Sequence, residues 1–412
     1  MKNQLTAVAY KVSPELSRII ILACVGILVF MAIDFQYPSL FRTEKALTDF
    51  DAFYVSGKMF WDGTLNQAYH YKDFFEAQQK LYGTSTFMVW SYPPQFNFIT
   101  AALAVLPAGL AYFTFTGLTF ASYLLTIKSI SSEYFGSVIL AIFPAILLNI
   151  RSGQNGFLTG TIVGLFFLAF MKRKAVAGLP LGLMIIKPHL AVGITVLALI
   201  SKRWSALGVA LLTVTLTLIA SMIIFGPSIW LAFAEGMKDT SRLLALGAFP
   251  SFRMTSIYAT IHEFGVPSAI ALTIQLLAAV IACSTIAISY IKLKNPRHII
   301  GITATASLYI SPYSFDYDLT LLGISAAALL PYIASRAKPI EIFVLFFLSW
   351  AACGSGLVQS TLIGNKYTNI ETTHTDPVYA LSSIALILLT MLTLHILLRG
   401  RLQELSATRL LN

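Results

Sequence analysis

Charge is scarce in this 412-residue chain, in which 11% of the residues are charged and 57% are hydrophobic. A soluble domain carries about 25% charged residues, so the composition excludes a soluble globular protein. Cysteine is also rare, and the three copies, Cys24, Cys283 and Cys353, all lie inside apolar runs. Their placement excludes a disulfide framework and a cysteine-based metal site. These absences leave an integral membrane protein.

Long apolar segments run through most of the chain, and a simple helical span needs about 20 such residues. The first segment, residues 18–33, predicts a somewhat short membrane helix rather than a cleavable signal peptide. Lys187 and Pro188 interrupt the segment 175–200, which predicts two short helices that meet at the outer face, and Pro107 interrupts another segment. The sequence therefore predicts an all-α, polytopic membrane protein with about twelve transmembrane or half-spanning helices in a single domain.

The distribution of charge predicts the orientation of the chain. With both termini in the cytoplasm, most of the 28 basic residues but few of the 18 acidic residues fall in inner loops, as the positive-inside rule requires. The net charge of +10 then anchors the protein to the inner leaflet of the lipid bilayer and is not a nucleic-acid footprint. We expect a multi-pass protein of the bacterial inner or plasma membrane. Its larger outer loops are residues 34–94, 226–266 and 358–377.

The first outer loop is long and acidic, which indicates a function there, because a bare connection needs only a few residues. Asp49 and Asp51 in this loop are candidates for a general base that accepts the proton of a sugar hydroxyl. One carboxylate is enough for a single displacement with inversion. Ordinary solvated acids are the alternative reading. Two carboxylates alone are a weak metal signal, so no metal or other cofactor is expected.

Three basic residues at predicted outer helix ends are candidates for binding a phosphate: Lys187, Arg151 and Arg253. Lys187 is the sharpest candidate, because a charge within an apolar run is costly unless it has a partner or reaches the interface. A cation there could stabilise the charge that develops on a departing phosphate. The alternatives are a lysine that extends to the interface and structural salt bridges for the two arginines.

Six further residues on the same predicted face are candidates for binding the sugar or the acceptor: Tyr92, Gln154, Asn155, His189, Asp316 and Asp318. Amide and carboxylate groups hydrogen-bond to sugar hydroxyls. Asn155 and Asp318 could instead only cap the helices that begin beside them, and Tyr92 could only mark a helix start.

The order of these motifs resembles glycosyltransferase family 87, once called domain of unknown function 2029. The likeness covers roughly residues 45–325. It is carried by the run Thr48-Asp-Phe-Asp-Ala-Phe-Tyr-Val-Ser-Gly-Lys58, by Gly63, Tyr69, Tyr92-Pro93-Pro94, Gly153-Gln154-Asn155, Gly178 and Lys187-Pro188, and by Ser311-Pro312-Tyr313 with Tyr317-Asp318-Leu319.

The resemblance implies a GT-C type membrane glycosyltransferase that uses a polyprenyl-phosphate sugar, often mannose and sometimes arabinofuranose. Such enzymes act on the outer face, invert the anomeric centre and take an aspartate of the first outer loop as the base. That aspartate corresponds to Asp49, and the family pattern does not clearly require Asp51. The partners would be the lipid-linked donor and a glycolipid or glycan acceptor.

A physical argument leads to the same donor. Nucleotide sugars are cytoplasmic and too polar to cross a bilayer unaided, so a site outside needs a sugar carried across on a lipid, and an apolar groove should hold the lipid chain. Two other functions stay open. One is a transporter or flippase for a lipid-linked sugar, although no repeat is evident. The other is a glycan polymerase or ligase that uses lipid diphosphate donors.

Overall fold

The computed structural model describes residues 11–41, 45–84, 86–247, 249–363 and 380–410. These residues are almost wholly helical, and they contain no strand beyond one isolated bridge between Met254 and Phe315. The predicted all-α class is confirmed.

The described residues form eighteen α-helices, some of which are joined by short 3-10 turns. They are α1 Pro14–Gln36, α2 Asp49–Trp61, α3 Tyr71–Tyr82, α4 Asn97–Leu103, α5 Ala108–Ser131, α6 Phe135–Ala141, α7 Phe143–Ser152, α8 Gly156–Met171, α9 Gly178–Leu183, α10 Pro188–Ile200, α11 Trp204–Phe225, α12 Ser228–Ala245, α13 Ile257–Glu263, α14 Ser268–Lys292, α15 Pro296–Ser307, α16 Thr320–Arg336, α17 Pro339–Ile363 and α18 Leu381–Leu410.

Seven helical stretches in the described part of the chain are long and apolar enough to cross a membrane. They comprise α1, α5 together with α6, α11, α14, α16 with the turn before it, α17 and α18. Shorter apolar helices cover residues 156–171, 175–186 and 188–200. The predicted interruptions at Pro107 and Lys187 are therefore confirmed, whereas the total of about twelve spans and half-spans stays a prediction.

Two of the predicted outer loops carry helices of their own. The stretch 34–94 contains α2 and α3, and the stretch 226–266 contains α12 and α13. Of the third predicted loop, residues 364–377 lie outside the described residues. The first loop is thus a folded layer on the helix bundle.

Glycines bring this layer into close contact with the bundle. A Cβ atom at Gly57 of α2 would lie 2.1 Å from the carbonyl oxygen of Thr100 in α4. No side chain fits there, so the two backbones touch, as they do where small residues mediate helix packing in membranes. This contact fixes α2, and with it Asp49 at the first turn, against α4.

A second close contact joins the loop before α13 to the loop before α16. The backbone N–H of Thr255 donates to the carbonyl of Ser314 at 2.9 Å, next to the Met254–Phe315 bridge. A Cβ atom at Gly356 of α17 would lie 2.3 Å from Asp316 Oδ2. Arg253 and Asp316 are therefore held side by side under α17.

Candidate active site

The first turn of α2 is ordered by Asp51 and its neighbours. Asp51 is fully buried, and its Oδ1 pairs with the buried ammonium group of Lys45. Its Oδ2 accepts from the backbone N–H of Thr48 at 2.9 Å and from the Thr48 hydroxyl at 3.1 Å. We call Lys45, Thr48 and Asp51 the loop clamp. Both Asp51 oxygens already accept hydrogen bonds within the loop clamp. Asp51 therefore holds the first turn of α2 in place and is less suited than Asp49 to accept a proton from a substrate.

Asp49 lies two residues earlier and faces different partners. Its Oδ1 accepts from Gln154 Nε2 at 2.9 Å, and its Oδ2 lies 3.9 Å from a terminal nitrogen of Arg253. The Gln154 side chain is itself held, because its Oε1 accepts from the Tyr92 hydroxyl at 2.8 Å. The distance to Arg253 is too long for a hydrogen bond. Oδ2 of Asp49 is therefore the oxygen available to take a proton.

Burial raises the pKa of Asp49 above its ordinary value, because desolvation disfavours the carboxylate. The charges of Arg253 and Lys187 and the hydrogen bond from Gln154 oppose this shift and lower the pKa. A carboxylate with a raised pKa holds an abstracted proton more firmly, which is the property that a general base needs.

Lys187 stands between the short helices α9 and α10 and is buried. Its Nζ lies 2.7 Å from Asp318 Oδ1, and both side chains are at most 5% exposed. The Nζ also lies 4.4 Å from the centroid of the Tyr317 ring, within the range of a cation–π contact. Lys187 therefore does not extend to the interface, which was the alternative reading of this residue.

Arg253, which is partly buried, forms the second ion pair of the site with the buried Asp316. Its Nε and one terminal nitrogen each lie 3.2 Å from an oxygen of Asp316, a bidentate arrangement. The guanidinium carbon lies 5.9 Å from the Tyr317 ring centroid, so this one ring contacts both cations. Tyr317 was not predictable from the sequence beyond its place in a motif, because its position depends on two residues from distant parts of the chain.

Asn155 is buried and His189 is partly buried beside these groups, and both have unused polar atoms. Neither amide atom of Asn155 has a hydrogen-bond partner among the described residues, and neither has His189 Nε2. Asn155 stands at the N-cap position of α8, yet its side chain makes no capping hydrogen bond. Capping therefore does not account for Asn155, and its amide remains available to a ligand.

Arg151 has a different position from the other predicted phosphate ligands. It is exposed at the end of α7, and a terminal nitrogen lies 3.4 Å from the hydroxyl of Thr361 in α17. The other two predicted cations, Lys187 and Arg253, share the Tyr317 ring. The structure thus joins Asp49, Gln154, Tyr92, Lys187, Arg253, Asp316 and Asp318 in one cluster at one end of the helix bundle. Among the described residues, no group of three or more histidine, cysteine or acidic side chains could hold a metal ion.

Comparison with known proteins identifies the family. The sequence profile described as glycosyltransferase family 87 matches residues 90–312, which is more than half of the 412-residue chain. No curated protein and no solved structure matched. The matched region includes Tyr92, Gln154, Lys187 and Arg253, and Asp49 precedes it. Its helical membrane architecture is consistent with the GT-C type. The chain belongs to glycosyltransferase family 87.

Proposed function

We propose that this glycosyltransferase moves a sugar, most simply mannose, from a polyprenyl-phosphate carrier to a hydroxyl group of an envelope glycolipid or glycan on the outer face of the membrane. The observation that carries the proposal is the Oδ2 of Asp49, which has no hydrogen bond among the described residues, beside the buried Lys187 and the partly buried Arg253. A base and a phosphate-binding pair are the two parts that such a transfer needs.

The reaction is a single displacement. The acceptor oxygen attacks the anomeric carbon, the bond from that carbon to the phosphate oxygen breaks, and its electron pair leaves with the phosphate. The hydroxyl proton passes to Asp49 Oδ2. Gln154 keeps the other carboxylate oxygen in place at 2.9 Å, so the free oxygen keeps its direction. Attack opposite to the leaving phosphate inverts the anomeric centre.

The charges of the cluster fit this reaction. The donor phosphate is a diester with one negative charge, and the released lipid phosphate carries a second. As Asp49 becomes neutral by taking the proton, the phosphate gains the charge that the carboxylate loses. Lys187 and Arg253 are each paired with an aspartate, so the empty site holds no uncompensated cation. Arg253 also lies 3.9 Å from Asp49 Oδ2, and protonation of Asp49 removes that negative charge as the phosphate gains one.

Two measurements test the proposal. Mass spectrometry of envelope glycolipids, from cells with and without this protein, would reveal the acceptor and the sugar together. Purified protein in proteoliposomes is then supplied with polyprenyl-phosphate mannose or with a mannosyl lipid diphosphate, and transfer is measured. We expect transfer from the monophosphate donor. Transport of the labelled lipid without chemical change would identify a flippase instead, and use of the diphosphate alone would identify a polymerase or ligase.

A further inference from the structure

Gln95 is a buried amide with no structural partner. It is 4% exposed, and neither its Nε2 nor its Oε1 has a hydrogen-bond partner among the described residues. An unsatisfied polar group is costly inside a membrane protein, where water is scarce. Other buried glutamines of the chain are satisfied at both ends. Gln78, for example, donates to the Met88 carbonyl at 2.7 Å and accepts from the Met88 N–H at 3.0 Å.

The position of Gln95 relates it to the candidate active site. It lies in the turn Pro94–Phe96, directly after Tyr92, whose ring stacks on Phe96 at a centroid distance of 4.4 Å. This turn packs against the turn Met184–Ile186, which leads into Lys187. The packing places the Gln95 turn beside the backbone segment that directly precedes Lys187, the proposed phosphate ligand.

Asn155 lies near the same segment of the chain. Its backbone N–H donates to Gln154 Oε1 at 2.8 Å, and that oxygen also accepts from the Tyr92 hydroxyl at 2.8 Å. Both amide atoms of Asn155 are without partners within the described structure. Two buried primary amides, each with free donors and a free acceptor, therefore lie on segments that meet at Tyr92 and Gln154. Neither carries charge, so neither is suited to a phosphate in preference to a neutral group.

We infer that Gln95 binds a hydroxyl group of the donor sugar and, together with Asn155, sets the enzyme's preference for a glycosylated over a bare lipid phosphate. A sugar ring presents neighbouring hydroxyls that both donate and accept, and a primary amide complements such groups. A prenyl chain offers no hydrogen bond, and the phosphate is matched by Lys187. The sugar is the part of the donor that requires an uncharged amide.

Sugar binding presupposes the proposed function, so the experiment measures two ligands separately. Binding of polyprenyl-phosphate mannose and of polyprenyl phosphate is measured with purified protein in detergent, for the wild type and for Gln95→Met. The bare lipid should bind both proteins equally. The variant should lose about tenfold in its preference for the mannosylated lipid, which is the worth of one neutral hydrogen bond. Monodeoxy forms of the mannosylated lipid then identify the hydroxyl, because the variant and the wild type should bind the correct one equally.

Gln78→Met is the matched control. It removes a buried glutamine whose hydrogen bonds are all internal, so it should lower the unfolding temperature and leave the sugar preference unchanged. Gln95→Met should not lower the unfolding temperature, because no internal bond is lost. An unchanged sugar preference in Gln95→Met, or a loss of stability like that of Gln78→Met, would overturn the role of Gln95 alone. Failure of the wild type to bind either lipid would overturn the proposed function as well.

Discussion

The described residues include two buried lysine–aspartate pairs that are almost alike in burial and differ in their surroundings. Lys45 and Asp51 are 5% and 0% exposed, and Lys187 and Asp318 are 5% and 1% exposed. In the loop clamp, every oxygen of Asp51 is used, and Lys45 lies 4.1 Å from the Tyr82 ring centroid.

Around Lys187, by contrast, some hydrogen-bonding groups remain unused. Within the described part of the chain, Asn155 and His189 have unpartnered atoms, and Asp49 Oδ2 makes no hydrogen bond. The comparison teaches that a buried ion pair does not by itself identify a functional site. Polar atoms that the fold leaves unused beside the pair are the better indication, because a fold that needs only stability satisfies them.

The largest expected effect separates the two aspartates of α2. Asp49→Asn keeps the shape of the side chain and can still accept from Gln154, but it cannot take the proton. We expect transfer to fall by about 10²–10⁴-fold while the unfolding temperature and donor binding are retained. Asp62→Asn, an exposed change in the same loop, is the control and should be fully active. Full activity of the Asp49→Asn enzyme would show that Asp49 is not the general base.

Breaking the loop clamp should lower the free energy of unfolding. Lys45→Met leaves the Asp51 carboxylate buried without its cation, and breaking such a pair costs about 3–5 kcal/mol. Unfolding in detergent measures this loss. The double variant Lys45→Met/Asp51→Leu removes both charges and should recover most of it. An Asp51→Asn protein that is as stable as the wild type yet inactive would contradict the structural role and make Asp51 the base.

The same double replacement in the site sharpens the comparison. Lys187→Met/Asp318→Leu removes a balanced pair, so the protein should fold, but its affinity for polyprenyl phosphate should fall by about tenfold or more, as for the loss of a charge-assisted contact. The clamp double variant is the matched control and should bind that lipid normally. If the two double variants bind polyprenyl phosphate with equal affinity, Lys187 has only a structural role, like Lys45.

The smallest effect concerns pH. A carboxylate must be ionised to act as the proposed base, so transfer should fall as the pH drops through the raised pKa of Asp49. Gln154→Met removes a hydrogen bond that lowers this pKa, which should move the acid limb of the pH–rate profile to higher pH. Tyr92→Phe keeps the bond between Gln154 and Asp49, so its profile should stay near that of the wild type. A shift in the opposite direction would show that Gln154 does not stabilise the charged carboxylate.

Much of the fold followed from sequence. Apolar length predicted the helices, and the prolines predicted the interruptions at Pro107 and before Pro188. The interior of the long first loop was not predictable, because α2 and α3 are fixed by contacts with distant residues, such as that of Gly57 with Thr100. The expected groove for the lipid chain stays a prediction.

The site was predictable as a set of residues but not as a set of pairs. Sequence position placed Asp49 and Asp51 together, and only their partners separate them. The pairing of Lys187 with Asp318 joins residues 131 positions apart, and that of Arg253 with Asp316 joins residues 63 apart. Gln95 carried no sequence signal, because a lack of hydrogen-bond partners is visible only in three dimensions.

The shortness of α10 has a consequence for the surrounding bilayer. Its 13 residues rise about 20 Å, whereas the hydrocarbon layer is about 30 Å thick. Lys202 and Arg203 follow its far end and mark one edge of that layer. If α10 stands along the bilayer normal, Lys187 lies roughly 10 Å beneath the opposite edge. A phosphate that binds Lys187 would then lie below the level of the surrounding head groups, and the bilayer would have to thin locally around the bound carrier.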